Sequence, residues 1–321
     1  MKYKQLTLSQ RYHISTLIKQ GYKQKDIAKE IGVSASTISR ELKRNGKSKY
    51  QAEQAQINYH KRLMSKRKRN AITKPIEKYI RTKLKLDWSP EQIAGRMKVD
   101  KDTTIHHETI YRFIYSNKAS NGRLYLHLRH KNKKHHKRSH EYQRRGTIKN
   151  RVCISKRPVV VDRKSRIGDW EIDTVIGKDH KGALVTIVDR KSKFTLIKKV
   201  DSKHADVVTA ATIDLLHPLK ALTHTITSDN GKEFAYHEVI AKSLNTSFYF
   251  ANPYHSWERG LNEHTNGLIR QYIPKKSEFE NISKEEIVTI ANKLNHRPRK
   301  ALGYKTPFEV FMKAFSKEMA S

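Results

Sequence analysis

Cysteine is almost missing from this chain. Cys153 stands alone, which excludes an internal disulfide framework and points to a reducing compartment. Long apolar runs are missing as well: none approaches the roughly 18 residues that a membrane span needs. The N-terminal stretch "MKYKQLTLSQRYHIS" lacks the apolar centre of a signal peptide, so a soluble, cytoplasmic protein with no membrane partner is expected. Acidic residues are scarce, with 31 Asp and Glu against 67 Lys and Arg, a net charge of +36. That imbalance exceeds what solubility requires and implies a polyanionic partner, nucleic acid before any other.

The excess charge is unevenly placed. Residues 1–117 hold 27 basic and 10 acidic groups, residues 118–157 hold 14 and 1, and residues 158–321 hold 26 and 20. The rear half therefore has nearly the balance of an ordinary globular domain, and the binding charge sits in front. At 321 residues the chain has room for two or three domains.

In "YKQKDIAKEIGVSASTISRELKRNG" two short helices flank a turn. Ile27, Ala28 and Ile31 form one apolar face, Gly32-Val33 fits the turn, and Ser34 is placed to cap a second helix whose Ile38 and Leu42 point inward. Ser36, Thr37, Arg40 and Arg44 are left outward, the pattern of a helix-turn-helix whose second helix enters a major groove. We assign residues 1–50 to this DNA-binding domain. Residues 70–117 carry a second three-helix pattern, with Ile76, Tyr79, Ile80 and Leu84 in one helix, Ser89-Pro90 opening the next, and Ile110, Phe113 and Ile114 in the third. It reads as a second DNA-binding unit or as packing alone. Residues 118–157, including "RHKNKKHHKRSHEYQRRG", have too few apolar groups to fold unaided and read as a basic linker. His135, His136, His140 and Cys153 within it suggest zinc, but the surrounding cations and the lack of a second cysteine argue against a site.

From Val159 onward the apolar period changes to that of strands. "DWEIDTVIG", "GALVTIVDR" and "KFTLIKKV" predict an antiparallel meander; helices and strands then alternate to give β-β-β-α-β-α-β-α, a mixed five-stranded sheet covered by helices over 158–321. Asp173 falls in mid-strand among β-branched residues, where a buried charge needs compensation. It is either an edge residue paired with lysine or a functional acid. Asp229, in "TITSDNGKEF", sits where a strand ends at the carboxyl edge, although Asp-Asn-Gly is also a plain turn sequence. Glu263 follows after 33 intervening residues, in "SWERGLNEHTNGLIRQY", a helix that also presents Arg259, Asn262, Asn266 and Arg270. Three converging carboxylates with no His/Cys set suit Mg²⁺ or Mn²⁺, and two such ions would serve in-line phosphoryl transfer. Arg259 and Arg270 would then engage DNA phosphate. Asp169 and Glu171 compete with Asp173 for the first position.

These residues resemble the DDE transposases of the insertion sequence thirty (IS30) family. The resemblance rests on "WEIDTVIG", "TSDNGKEF", "YHSWERGLNEHTNGLIRQYIPK", "LNHRPRKALGYKTPFEVF", the D-D-33-E spacing and the N-terminal helix-turn-helix. It implies an RNase H-like core with Asp173, Asp229 and Glu263 as catalytic and metal-binding triad. It also implies binding of double-stranded DNA at terminal inverted repeats, cleavage to free 3′-hydroxyls, joining to target DNA, and action as a homodimer or larger assembly at the bacterial nucleoid. Two other readings compete: a non-catalytic DNA-binding regulator whose rear domain dimerises, and a nuclease that only hydrolyses.

Overall fold

The computed structural model describes residues 5–46, 49–65, 71–129, 148–253 and 255–319, in two compact units, Met1–Ala71 and Ile72–Ser321. His135, His136 and His140 lie outside the described residues.

The first unit is all-helical: α1 Leu8–Lys19, α2 Gln24–Ile31, α3 Ala35–Asn45 and α4 Ala52–Ser65. The turn after α2 works because Gly32 takes a left-handed conformation, φ 70°, open to glycine without strain. Ile14, Leu17, Ile27, Ala28, Ile38, Leu42, Tyr50 and Ala55 close the core. Because Tyr50, Ala52 and Ala55 are buried, the unit extends through α4 and past the expected boundary at residue 50. Ser34 holds the N-cap position of α3, but its hydroxyl bonds the Ser36 and Thr37 hydroxyls, each at 2.9 Å, rather than a backbone N–H. At the centre lies a buried ion pair: Arg11 Nε donates to Glu41 Oε1 at 2.8 Å, and Tyr50 donates to the same oxygen at 3.2 Å.

The second unit opens with α5 Lys74–Lys85, α6 Pro90–Lys101 and α7 His107–Ala119. As the Ser89-Pro90 pair predicts, Ser89 and Gln92 form a reciprocal capping box at the start of α6. A 3-10 turn, Leu124–His127, buries Leu124 against Ile80, Ile110 and Ile114, so this helical part continues past residue 117 into the stretch expected to be linker. It is docked on the rear of the unit: Arg96 forms a two-pronged pair with Glu309, both at 2.7 Å, and Lys300 reaches Glu91 at 2.7 Å.

After a short helix, α8 Val159–Arg163, come β1 Asp169–Ile176, β2 Ala183–Asp189 and β3 Thr195–Val200, then α9 Ala205–Leu216, β4 Thr225–Ser228, α10 His237–Leu244, β5 Ser247–Phe250 and α11 Gly260–Ile269. α12 Lys284–Asn295 and α13 Pro307–Met319 end the chain. The five strands form one mixed sheet in the order β3-β2-β1-β4-β5, with β1 antiparallel to β2 and parallel to β4. The meander, the alternation and the mixed sheet are as the sequence predicts. Alternation along β1 sends Trp170 and Ile172 into the core under α9 and α10, while Val175 joins the core under α11 and α12. The segment before α8 also belongs here, since Phe250 N–H donates to Val152 O at 2.9 Å and buried Arg157 reaches Thr227 Oγ1 at 2.9 Å. The basic linker therefore ends before residue 157.

Candidate active site

Two of the three expected acids meet. The register pairs Glu171 of β1 with Thr227 of β4, so Asp173, two residues on, stands level with Asp229 just beyond the end of β4. Arg259 lies between them: Nη1 is 3.8 Å from an Asp173 oxygen, Nη2 is 3.3 Å from an Asp229 oxygen, and Nη1 also donates to Ile172 O at 3.1 Å. The compensation that a mid-strand Asp demands is thus an arginine from the following helical segment, not an edge lysine.

Asp173 is further fixed by Thr174 N–H to Oδ1 at 2.9 Å and by Asn266 Nδ2 to Oδ2 at 3.0 Å. Burial pushes its pKa up to about 6; Arg259 pulls the other way, and the neighbouring Asp229 and Glu233 carboxylates push up again. Asp229 caps the turn, as Asp-Asn-Gly predicts, its Oδ1 accepting Gly231 N–H at 2.9 Å while its other oxygen meets Arg259. Asn230 holds that turn to the sheet through Ala251 O at 2.7 Å.

Glu263 stands on the exposed side of α11, one turn before Asn266 and four residues after Arg259. Among the described residues no three His, Cys, Asp or Glu side chains are gathered closely enough to hold a metal ion. The donor chemistry of the Asp173–Asp229 pair, all carboxylate oxygen, suits a hard divalent cation, with Arg259 as the positive group in contact with both.

The competing acids have other work. Asp169 takes Arg166 at 3.0 and 3.1 Å and the Thr225 hydroxyl at 2.8 Å. Glu171 is buried against Arg190 at 2.5 Å. Asp189 accepts Gly168 N–H and the Ser192 N–H and hydroxyl, the structural turn its sequence suggests. Glu258 accepts both the N–H and the amide of Asn252. Arg270 differs from expectation: it donates to Ile176 O at 2.9 Å and Pro274 O at 3.2 Å, tying the end of α11 to β1. Glu233, which no sequence reasoning singled out, receives the Thr174 hydroxyl at 2.9 Å beside the pair. Its place after the Asp-Asn-Gly turn was the only signal. In the first unit Ser36, Arg40 and Arg44 are exposed along α3, with Thr37 partly so.

Residues 2–45 match a helix-turn-helix domain family and residues 163–256 match the integrase core domain. The chain is 47% identical to the transposase for insertion sequence element IS4351 of Bacteroides fragilis, over 96% of this chain and 95% of that one. It is 37% identical to transposase InsI for insertion sequence element IS30A of Escherichia coli (strain K12), over 95% and 82%. It is 33% identical to the transposase for insertion sequence element IS1086 of Cupriavidus metallidurans, over 96% and 94%.

Proposed function

The chain belongs to the IS30 family of transposases, and from that premise we propose that it is a DDE transposase which binds terminal inverted repeats, cuts to expose 3′-hydroxyls and joins them to target DNA. The observation that carries the reading is the pair Asp173, on β1, and Asp229, just past the end of the parallel neighbour β4, with Arg259 between them. A regulator that only dimerised through this sheet would gain nothing from an acid whose burial raises its pKa, with a second acid beside it raising it further.

Asp173, Asp229 and Glu263 would hold Mg²⁺ or Mn²⁺, which supplies Lewis-acid activation of the attacking oxygen and neutralises the leaving one. With its pKa near 6, Asp173 is ionised at neutral pH and ready to act as a ligand. Thr174 N–H and Asn266 fix its two oxygens in one orientation. Arg259, released from the carboxylates, carries its charge to a DNA phosphate at the same place. In the first step a water oxygen bonds to phosphorus and the bond to the 3′-oxygen breaks; in the second that 3′-hydroxyl oxygen bonds to a target phosphorus while the target's own bond from phosphorus to its 3′-oxygen breaks, which leaves a 3′-hydroxyl on the target strand. Ser36, Thr37, Arg40 and Arg44 would read the repeat in the major groove. Two ends must be paired, which calls for at least a homodimer.

The test is to incubate full-length protein and Mg²⁺ with plasmid DNA carrying the flanks of its own gene, and to map nicked and joined ends. Cuts at repeat ends with new joints, lost in Asp229→Asn, are expected. Sequence-specific binding without metal-dependent cleavage would instead mark a regulator, and cleavage without joints a hydrolase.

A further inference from the structure

Behind α11, on the side away from Asp173, the second unit encloses a cavity of about 930 Å³ between α6 and α7, α11 and residues 297–301. Its charge is one-sided. The acids that line it are already engaged: Glu91 with Lys300, Glu171 with Arg190, and Glu258 with Asn252. Arg129, Lys164, Lys193, Arg297 and Arg299 also line it, and among the described residues none of them makes a direct ion pair, although Asp189 and Glu171 lie near Lys193 and Asp87 near Arg297. Buried Arg297 donates to the amide oxygens of Gln92 and Gln271, Arg299 Nη2 donates to Leu294 O at 3.1 Å, and Arg299 Nε has no acceptor among the described residues. Burial first and Lys164 next bring Lys193 down to about 8, against the opposite pull of Asp189 and Glu171, and burial first and Arg297 next bring Arg299 down to about 10. Cations held together against their own repulsion are poised for an anion.

The lining is also aromatic. His107, Tyr111 and Tyr115 recur every four residues along α7, with ring centroids 6.4 and 6.2 Å apart and the two tyrosines stacked at 17°. Tyr111 and Tyr115 line the cavity, and Tyr115 remains 51% exposed. A phosphate ion would need the cations alone; a ligand that uses both the cations and the tyrosines carries a flat ring and a phosphate. The volume falls within the range of about 300–1,000 Å³ typical of small-ligand sites, too small for a duplex.

We propose that this cavity binds a nucleoside 5′-phosphate as an unpaired nucleotide, its base against Tyr111 and Tyr115 and its phosphate on Lys164 and Lys193. The source is a strand unpaired from DNA at the active site, since α11 presents Asn266 to Asp173 on one side and Leu261 and Leu268 to the cavity on the other. Only that source rests on the transposase reading. Aromatic platforms of this kind stack bases without regard to sequence.

Three probes distinguish the outcomes with full-length protein: a blunt duplex, the same duplex ending in a short single-stranded overhang that contains 2-aminopurine, and free 2-aminopurine deoxynucleoside 5′-monophosphate. The overhang should bind about tenfold tighter than the blunt end, in line with one stacked base, and its fluorescence should be quenched. Tyr115→Ala and Lys164→Gln, both at exposed positions, should remove that preference and leave blunt-duplex binding unchanged. Quenching of the free nucleotide, lost in the same variants and without any overhang preference, would overturn the DNA source. No quenching with either probe would overturn the site itself. Neither failure touches the transposase reading, which stands or falls on cleavage by Asp229→Asn.

Discussion

Replacing Asp173 by Asn should make the metal-free protein more stable while removing its activity. Burial raises the Asp173 pKa from the ordinary 3.8 to about 6. In the unfolded chain the proton leaves near pH 3.8, whereas the folded protein keeps it until about pH 6. Between those values the folded state binds more protons, so stability falls as pH rises through the window and the full cost is present above it. At about 1.36 kcal/mol per pKa unit, the interval amounts to at most about 3 kcal/mol. Asn carries no charge, and its single side-chain oxygen can keep one of the two hydrogen bonds that Asp173 accepts from Asn266 and Thr174 N–H. The expected result is therefore equal stability below about pH 4 and a gain of up to about 3 kcal/mol for Asp173→Asn at pH 7.5. Urea unfolding in EDTA, followed by the fluorescence of buried Trp170, measures both. Adding Mg²⁺ should narrow the gap by stabilising the wild type alone. A variant no more stable than wild type at pH 7.5, or a gap that ignores pH, would refute the account of Asp173 as a carboxylate held at a cost.

Three further outcomes are expected. Glu41→Ala strands the buried Arg11 cation and should cost about 3–5 kcal/mol; calorimetry should show the first unit melting early, with the transition of the second unchanged. Arg40→Ala should weaken binding to the terminal repeat by about 1–3 kcal/mol if Arg40 reads a base, or uniformly on all sequences with a smaller salt slope if it meets phosphate; titration against repeat and unrelated duplexes separates the two, and no change on either would remove Arg40 from the interface. Arg96→Ala breaks the link to Glu309, which is partly exposed, so only about 1 kcal/mol is expected, seen as faster hydrogen exchange across α6; unchanged exchange would mean that the docking does not depend on that pair.

What could be read from the chain followed from local chemistry. An Asp among β-branched residues announces its own cost, and Asp173 proved to be compensated, although by Arg259 and not by a strand neighbour. The meander and the turn at Asp229 were legible because alternation and Asp-Asn-Gly act over a few residues. Helices α1 and α4 left a weaker signal, since a core position of α1 is filled by Arg11, whose partner Glu41 lies 30 residues away. The docking of α6 on α13 was invisible for the same reason: Arg96 and Glu309 are 213 residues apart and each looks like a surface charge. Arg270 misled because an arginine on an exposed-looking helix face gives no sign that backbone carbonyls await it.

The level placement of Asp173 and Asp229 has a consequence for how this protein can change. Neighbouring strands lie about 4.8 Å apart, so the gap between these two acids is set by the hydrogen-bond ladder of β1 and β4 together with the short turn that Asn230 ties to the sheet. Insertions in the connections between strands can redraw the surface around the acids and leave that spacing intact. A slip of one residue between β1 and β4 would turn Asp173 to the wrong face together with every side chain of its strand. The sheet is in this sense a ruler with a single graduation, and the parts of the chain free to diversify are those that do not hold it.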